Sequence, residues 1–118
     1  MAVQSSAGAT MMAPGADEPL SSRRRYDRRK VMANAFVHHG DRFQHVRVMN
    51  YSHGGLMLDG TFGLMPGDAI EVELVSGLRI AARVVWSLGG RTGVAFPVSL
   101  SPAHPVMVEL GHRERSRA

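Results

Sequence analysis

The sequence predicts an all-β protein: a six-stranded antiparallel β-barrel, with a flexible arginine-rich segment before it and a short C-terminal helix after it. Three observations carry the prediction. About six short runs alternate apolar and polar residues, the period of a half-buried strand, at spacings of roughly 8–12 residues. Clusters of Gly, Pro, Asn and Asp separate the runs as turn signals. So few strands leave open edges unless they close on themselves, and a barrel is the economical way to hide them.

Residues 1–21 are mostly Ala, Gly, Ser, Met and Pro with two acids, Asp17 and Glu18, and predict a disordered leader. The domain is expected at 22–111: an arginine stretch at 22–30, the barrel at 31–96 and the helix at 101–111. In the first strand Val31, Ala33, Ala35 and Val37 share one parity, and Met32, Asn34, Phe36 and His38 the other. His39-Gly40-Asp41 is a turn signal, after which Arg42–Asn50 resumes with Val46 and Val48 on one face and Arg47 on the other. Asn50-Tyr51-Ser52-His53-Gly54-Gly55 collects turn-formers, and Leu56–Leu58 is a short strand. Residues 59–68 read as a loop. Ile70, Val72 and Leu74 alternate with Glu71 and Glu73, a strand with one wet face. Beyond the reversal at Ser76-Gly77, Ile80, Ala82, Val84 and Trp86 share a parity. Leu88-Gly89-Gly90 turns the chain into a last strand over Thr92–Phe96. Ser101-Pro102 reads as an N-cap with proline at the first helical position, Pro105–Leu110 as one or two helical turns, and Gly111 as the stop. A basic tail is expected at 112–118.

At 118 residues the chain has room for one domain. Without leader and tail, roughly 85–90 residues remain, enough for one modest core. Cysteine is absent, which excludes disulfides and thiolate metal sites. No apolar run approaches the roughly 20 residues of a membrane span. The first residues lack the basic and apolar regions of a signal peptide. A soluble, cytoplasmic protein is therefore expected. The formal net charge of +4 favours anionic partners. Lys30 is the single lysine, and arginine's planar fork suits phosphate and the O6/N7 edge of guanine.

The charge is concentrated. Ser22–Lys30 holds five arginines and a lysine with only Asp27 among them, so a solvated basic tail and an anion clamp are the two readings. Arg24-x-x-x-Arg28 and Arg25-x-x-x-Arg29 share a spacing that puts two guanidinium groups on one side, helical or extended. Asn50-x-Ser52-x-x-Gly55 is either a plain turn or a polar site in which Gly54 and Gly55 admit a flat ligand. Trp86 reads as core, with bordering a base as the other reading. The six histidines are scattered and His38-His39 point to opposite faces, so no metal is expected. No nucleophile elbow, P-loop or dinucleotide fingerprint is present, and no paired carboxylates suggest an enzyme.

Taken together, Arg24-x-x-x-Arg28 followed one hairpin later by Asn50-x-Ser52-x-x-Gly55 resembles the two-part signature of the PilZ domain family. Ala82-Arg83-Val84-Val85-Trp86 and Gly93-Val94-Ala95-Phe96 are similar to that family's closing strands. The likeness covers about residues 22–100. It implies a six-stranded barrel that binds cyclic di-GMP, a bacterial second messenger, without a cofactor. It also implies that Arg24 and Arg28 hold phosphate and guanine, and that Asn50, Ser52 and Gly55 contact the other guanine. Arg24/Arg28 is the preferred register because Tyr26 then falls where the family has an aromatic residue; Arg25 and Arg29 are the alternative. Arg23 resembles the doubled-arginine form that takes two stacked ligands. Asn50 stands where the family more often has Asp, so a charge-assisted bond to guanine is absent. Ordering of the arginine segment on binding would switch the surface offered to a partner protein. By the same resemblance the output is motility, surface polysaccharide or virulence. The alternatives are a PilZ-like interaction module without nucleotide, and a barrel that binds RNA or single-stranded DNA. The latter needs several exposed aromatics on one face. Only seven aromatics are present, and Phe36, Phe62, Trp86 and Phe96 read as core.

Overall fold

The computed structural model describes residues 28–117. Six strands and one helix follow in order: β1 (Arg29–His39), β2 (Arg42–Ser52), β3 (Gly55–Asp59), β4 (Ala69–Leu74), β5 (Arg79–Leu88), β6 (Arg91–Ala95) and α1 (Pro105–Arg117). The strands close into a barrel in the order β1-β2-β3-β6-β5-β4, with β4 pairing back onto β1. Every pairing is antiparallel, and each of the six strands has a neighbour on both sides.

The alternation in the sequence becomes the inside and outside of this barrel. Val31, Ala33, Ala35 and Val37 are all buried on β1, and they meet Val46, Val48, Leu56, Leu58, Val72, Leu74, Val84 and Val94. Small and β-branched residues dominate because a six-stranded barrel has a narrow interior. One end of the barrel is closed by α1, which buries Val106, Met107 and Leu110, together with Leu100 and Tyr51.

The helix lies later than the sequence predicts. Ser101 does not cap it. Its Oγ accepts from the Ala103 amide at 3.1 Å, and its carbonyl accepts from the His104 amide at 3.0 Å, closing a separate turn. His104 takes the cap instead: its Nδ1 accepts from the Val106 amide at 3.1 Å, and Pro105 occupies the first helical position. Nor does Gly111 stop the helix, which runs to Arg117 and so absorbs most of the expected tail. The anchoring of Leu110 below Gly111 and of Glu114 above it offsets the roughly 1 kcal/mol that a mid-helix glycine costs.

Two aromatic expectations are also corrected. Phe36 is 38% exposed and Phe62 68% exposed. Phe36 sits on the outer face of β1, as its parity with Met32 and Asn34 dictates, and packs edge-on to Phe43 with ring centroids 6.0 Å apart. Phe62 projects from the loop after β3, where the Gln44 side chain holds its backbone: the amide donates to the Phe62 carbonyl at 3.0 Å, and Oε1 accepts from the Phe62 N–H at 2.9 Å. Phe96 is buried as expected.

Buried polar groups are paired. Thr92 has no exposed surface, and its hydroxyl meets Thr61 Oγ1 at 2.6 Å and Ser87 Oγ at 3.0 Å. Thr92→Val keeps the shape but leaves two neighbouring hydroxyls short of a partner. Thermal denaturation should register a loss of about 1–3 kcal/mol. A melting temperature unchanged to within a degree would show that the triad is dispensable.

Candidate functional site

Three irregularities in the barrel build the site. Strict alternation on β2 would put Asn50 on the inner face with Val46 and Val48. A bulge between Val48 and Asn50 shifts the register by one residue relative to β3. Asn50 therefore faces out and Tyr51, 5% exposed, faces in. Strict alternation on β5 would likewise put Trp86 inside with Val84. A second bulge, between Val84 and Trp86, turns the indole outward. The third irregularity lies on β1, between Lys30 and Ala33, and brings Lys30 opposite Asn50.

The result is one row across the outside of five adjacent strands. Lys30 pairs with Asn50, Asn50 with Met57, Met57 with Gly93 and Gly93 with Trp86. The inner neighbours of these residues, Leu56, Leu58 and Val94, are core, which fixes the row on the outer face. At one end Arg28 Nη1 donates to Asn50 Oδ1 at 2.9 Å. Asn50 Nδ2 lies 3.8 Å from Met57 Sδ, a weak contact that orients the amide. At the other end the indole of Trp86 crosses β6 over Gly93. A Cβ there would come within 2.6 Å of Trp86 Cε2 and 2.8 Å of Cδ1, so only glycine accommodates the ring.

The rest of the second motif has a different place. Ser52 is 4% exposed, and its Oγ accepts from the Gly54 amide at 3.1 Å, a local turn bond. Gly55 is buried, and a Cβ there would meet the Val94 carbonyl oxygen and lie 3.1 Å from its carbon. The turn is tied to the segment after β6: the Phe96 amide donates to the Gly54 carbonyl at 2.9 Å, and the Leu100 amide to the His53 carbonyl at 2.9 Å. Ser52 and Gly55 thus present no side chain to the row. They shape the hairpin that holds Asn50.

The arginines divide between two faces. Arg28 turns to Asn50, whereas Arg29 stands 3.5 Å from both carboxylate oxygens of Glu114 on α1. Arg23, Arg24 and Arg25, and with them the leader at 1–21, lie outside the described residues. Of the expected site residues, the structure brings Arg28 and Asn50 into contact and sets Trp86 farther along the same face. Lys30, Met57 and Gly93 join them without having been singled out. A glycine inside a strand pattern, as at Gly93, is the sequence signal that could have found this row, since it marks a place where another group approaches the backbone closely.

The row carries cations at one end, a bifunctional amide in the middle and a thioether and indole at the other end. That order suits a ligand with a phosphate and a flat heterocycle: guanidinium and ammonium for the anion, Asn50 for a donor–acceptor edge, Trp86 for a ring face. Among the described residues no three His, Asp or Glu side chains gather as a metal ion would require. Among them, too, no helix is long and apolar enough to cross a membrane. In a comparison with protein-family models, the one described as PilZ domain matches residues 22–110. No curated protein matches the chain.

Proposed function

The chain belongs to the PilZ domain family, and on that premise we propose that it is a cyclic di-GMP receptor that binds its ligand along the row from Arg28 to Trp86. The family is generally associated with cyclic di-GMP binding, and its members act as binding or adaptor modules. The observation that carries the proposal for this chain is the 2.9 Å bond between Arg28 Nη1 and Asn50 Oδ1. It joins the two motifs side by side on the face that also holds Trp86.

In this reading Arg24 and Arg28 take phosphate and the O6/N7 edge of guanine in fork geometry. Asn50 accepts from and donates to a second guanine edge, Ser52 and Gly55 hold its backbone, and Gly54 offers a backbone approach. Arg23 adds the charge a stacked ligand pair needs. The arginine segment closes over the nucleotide and the combined surface is read by a partner protein. The protein works in the cytoplasm, as an adaptor rather than an enzyme, on motility, surface polysaccharide or virulence.

The test uses the single tryptophan. Calorimetric titration with cyclic di-GMP should give saturable heat, and Trp86 emission should change with the same midpoint, because a base stacked on the row alters the indole's surroundings. GTP and cyclic GMP, which lack the second guanine, should do neither at equal concentration. Folded protein that gives no heat would leave a nucleotide-free interaction module as the reading.

A further inference from the structure

One carboxylate connects both motifs to the C-terminal helix. Glu114 lies near the end of α1 and reaches back to the barrel. It accepts a 2.9 Å hydrogen bond from the Tyr51 hydroxyl and stands 3.5 Å from Arg29 Nη1. Tyr51 is the residue between Asn50 and its turn, and Arg29 lies between Arg28 and Lys30. Arg29 and Tyr51 are also register partners across β1 and β2. Successive strand residues point to opposite faces. The backbone that presents Lys30 and Asn50 to the row in front is therefore the backbone that presents Arg29 and Tyr51 to α1 behind.

The two halves of this junction differ in strength. Tyr51 is a buried residue, and its hydroxyl donates to the Glu114 carboxyl at 2.9 Å, a firm contact. Arg29 is 60% exposed and sits at a longer distance, a loose ion pair of the kind worth little in water. A ligand bearing phosphates beside Arg28 and Lys30 offers Arg29 a stronger partner one residue away.

We propose that Glu114 is a positioning residue: it holds Arg29 on the helix face of β1 and yields it when a phosphate-bearing ligand occupies the row, so that the end of α1 reports the ligand. The inference rests on the receptor reading and adds its regulation. It places Arg29 outside the resting ligand face, leaving Arg28 to Asn50. It also makes α1 the element whose last turns loosen on binding. Because coupling is reciprocal, whatever weakens the Arg29–Glu114 pair must strengthen ligand binding.

Two variants separate this from a structural role. Glu114→Gln keeps an acceptor for Tyr51 but releases Arg29. It should bind cyclic di-GMP about threefold to fivefold tighter, the scale of one exposed ion pair, with the gain shrinking as salt rises. Tyr51→Phe keeps the ion pair but drops the firm anchor. It should speed amide hydrogen exchange at the end of α1 and, because a loosened Glu114 holds Arg29 less, tighten binding by no more than Glu114→Gln does. In the parent protein, cyclic di-GMP should speed exchange at the same amides. A purely structural Glu114 predicts that both variants loosen the helix and neither tightens binding. Binding by the parent with unchanged exchange in α1, and equal affinity for Glu114→Gln, would overturn the latch and leave the receptor standing. Absence of any binding by the folded parent would overturn the receptor reading itself, and the latch with it.

Discussion

Gly55→Ala should cost about 3 kcal/mol of stability, near the upper end for forcing atoms into a packed site. For a domain of this size the melting temperature should fall by about 12–24 °C. Gly55 is not held in a left-handed conformation, so backbone strain is not the reason. The reason is contact: a Cβ would meet the Val94 carbonyl oxygen and stand 3.1 Å from its carbon and 3.2 Å from Ala95 Cα. These are backbone atoms of a paired strand, and Val94 is itself core, so neither side can step aside. A shift of under two degrees would show that β3 and β6 can separate cheaply. The result bears on how the second motif is read. A glycine that the barrel requires says nothing by itself about a ligand, and loss of binding in Gly55→Ala would report loss of fold. Asn50 is the position in that motif whose side chain can be tested for binding alone.

The second large effect is on affinity. Arg28→Ala should weaken cyclic di-GMP binding by about 1.5–3 kcal/mol, roughly tenfold to 150-fold, the scale of a hydrogen bond to a charged group. The melting temperature should hold, since Arg28 is exposed and precedes β1. Arg28→Lys should recover only part of the loss, because an ammonium lacks the planar fork. Asn50→Ala should weaken binding as well. In a double-mutant cycle the two losses should not add, because each substitution disturbs the same 2.9 Å contact. Arg29→Ala should have the smaller effect of the two arginines, given its place beside Glu114. Calorimetry on the four variants decides the register. Normal binding by Arg28→Ala with loss in Arg29→Ala would transfer the role to the Arg25/Arg29 pair.

Much of the fold was legible in the chain because alternation is a local property. The parity of Val31, Ala33, Ala35 and Val37 named the inner face of β1 without any knowledge of its neighbours. The same parity placed Phe36 outside; its residue type argued for the core, and the parity was the better guide. The helix was legible as an element but not in its start. Ser101-Pro102 and His104-Pro105 are both cap-and-proline signals. The choice fell to the pair that lets Val106, Met107 and Leu110 close the end of the barrel.

Charge marked an arginine segment, and the resemblance to the PilZ signature implied that it acts together with the Asn-containing turn. Their meeting was decided only in the folded barrel. Period-two reading puts Asn50 with Val48 and Trp86 with Val84, inside. Bulges on β2 and β5 reverse both, and an irregularity on β1 sets Lys30 beside Asn50. A bulge is a mismatch between one strand's residue count and its neighbour's. It is settled by how six strands must stagger and bend to close, not by the residues of any one strand. The chain by itself therefore determined which residues alternate and where the cations lie. Barrel closure, a non-local condition, decided which face Asn50 and Trp86 share, and brought Glu114 from the last turns of α1 to the back of the same strands.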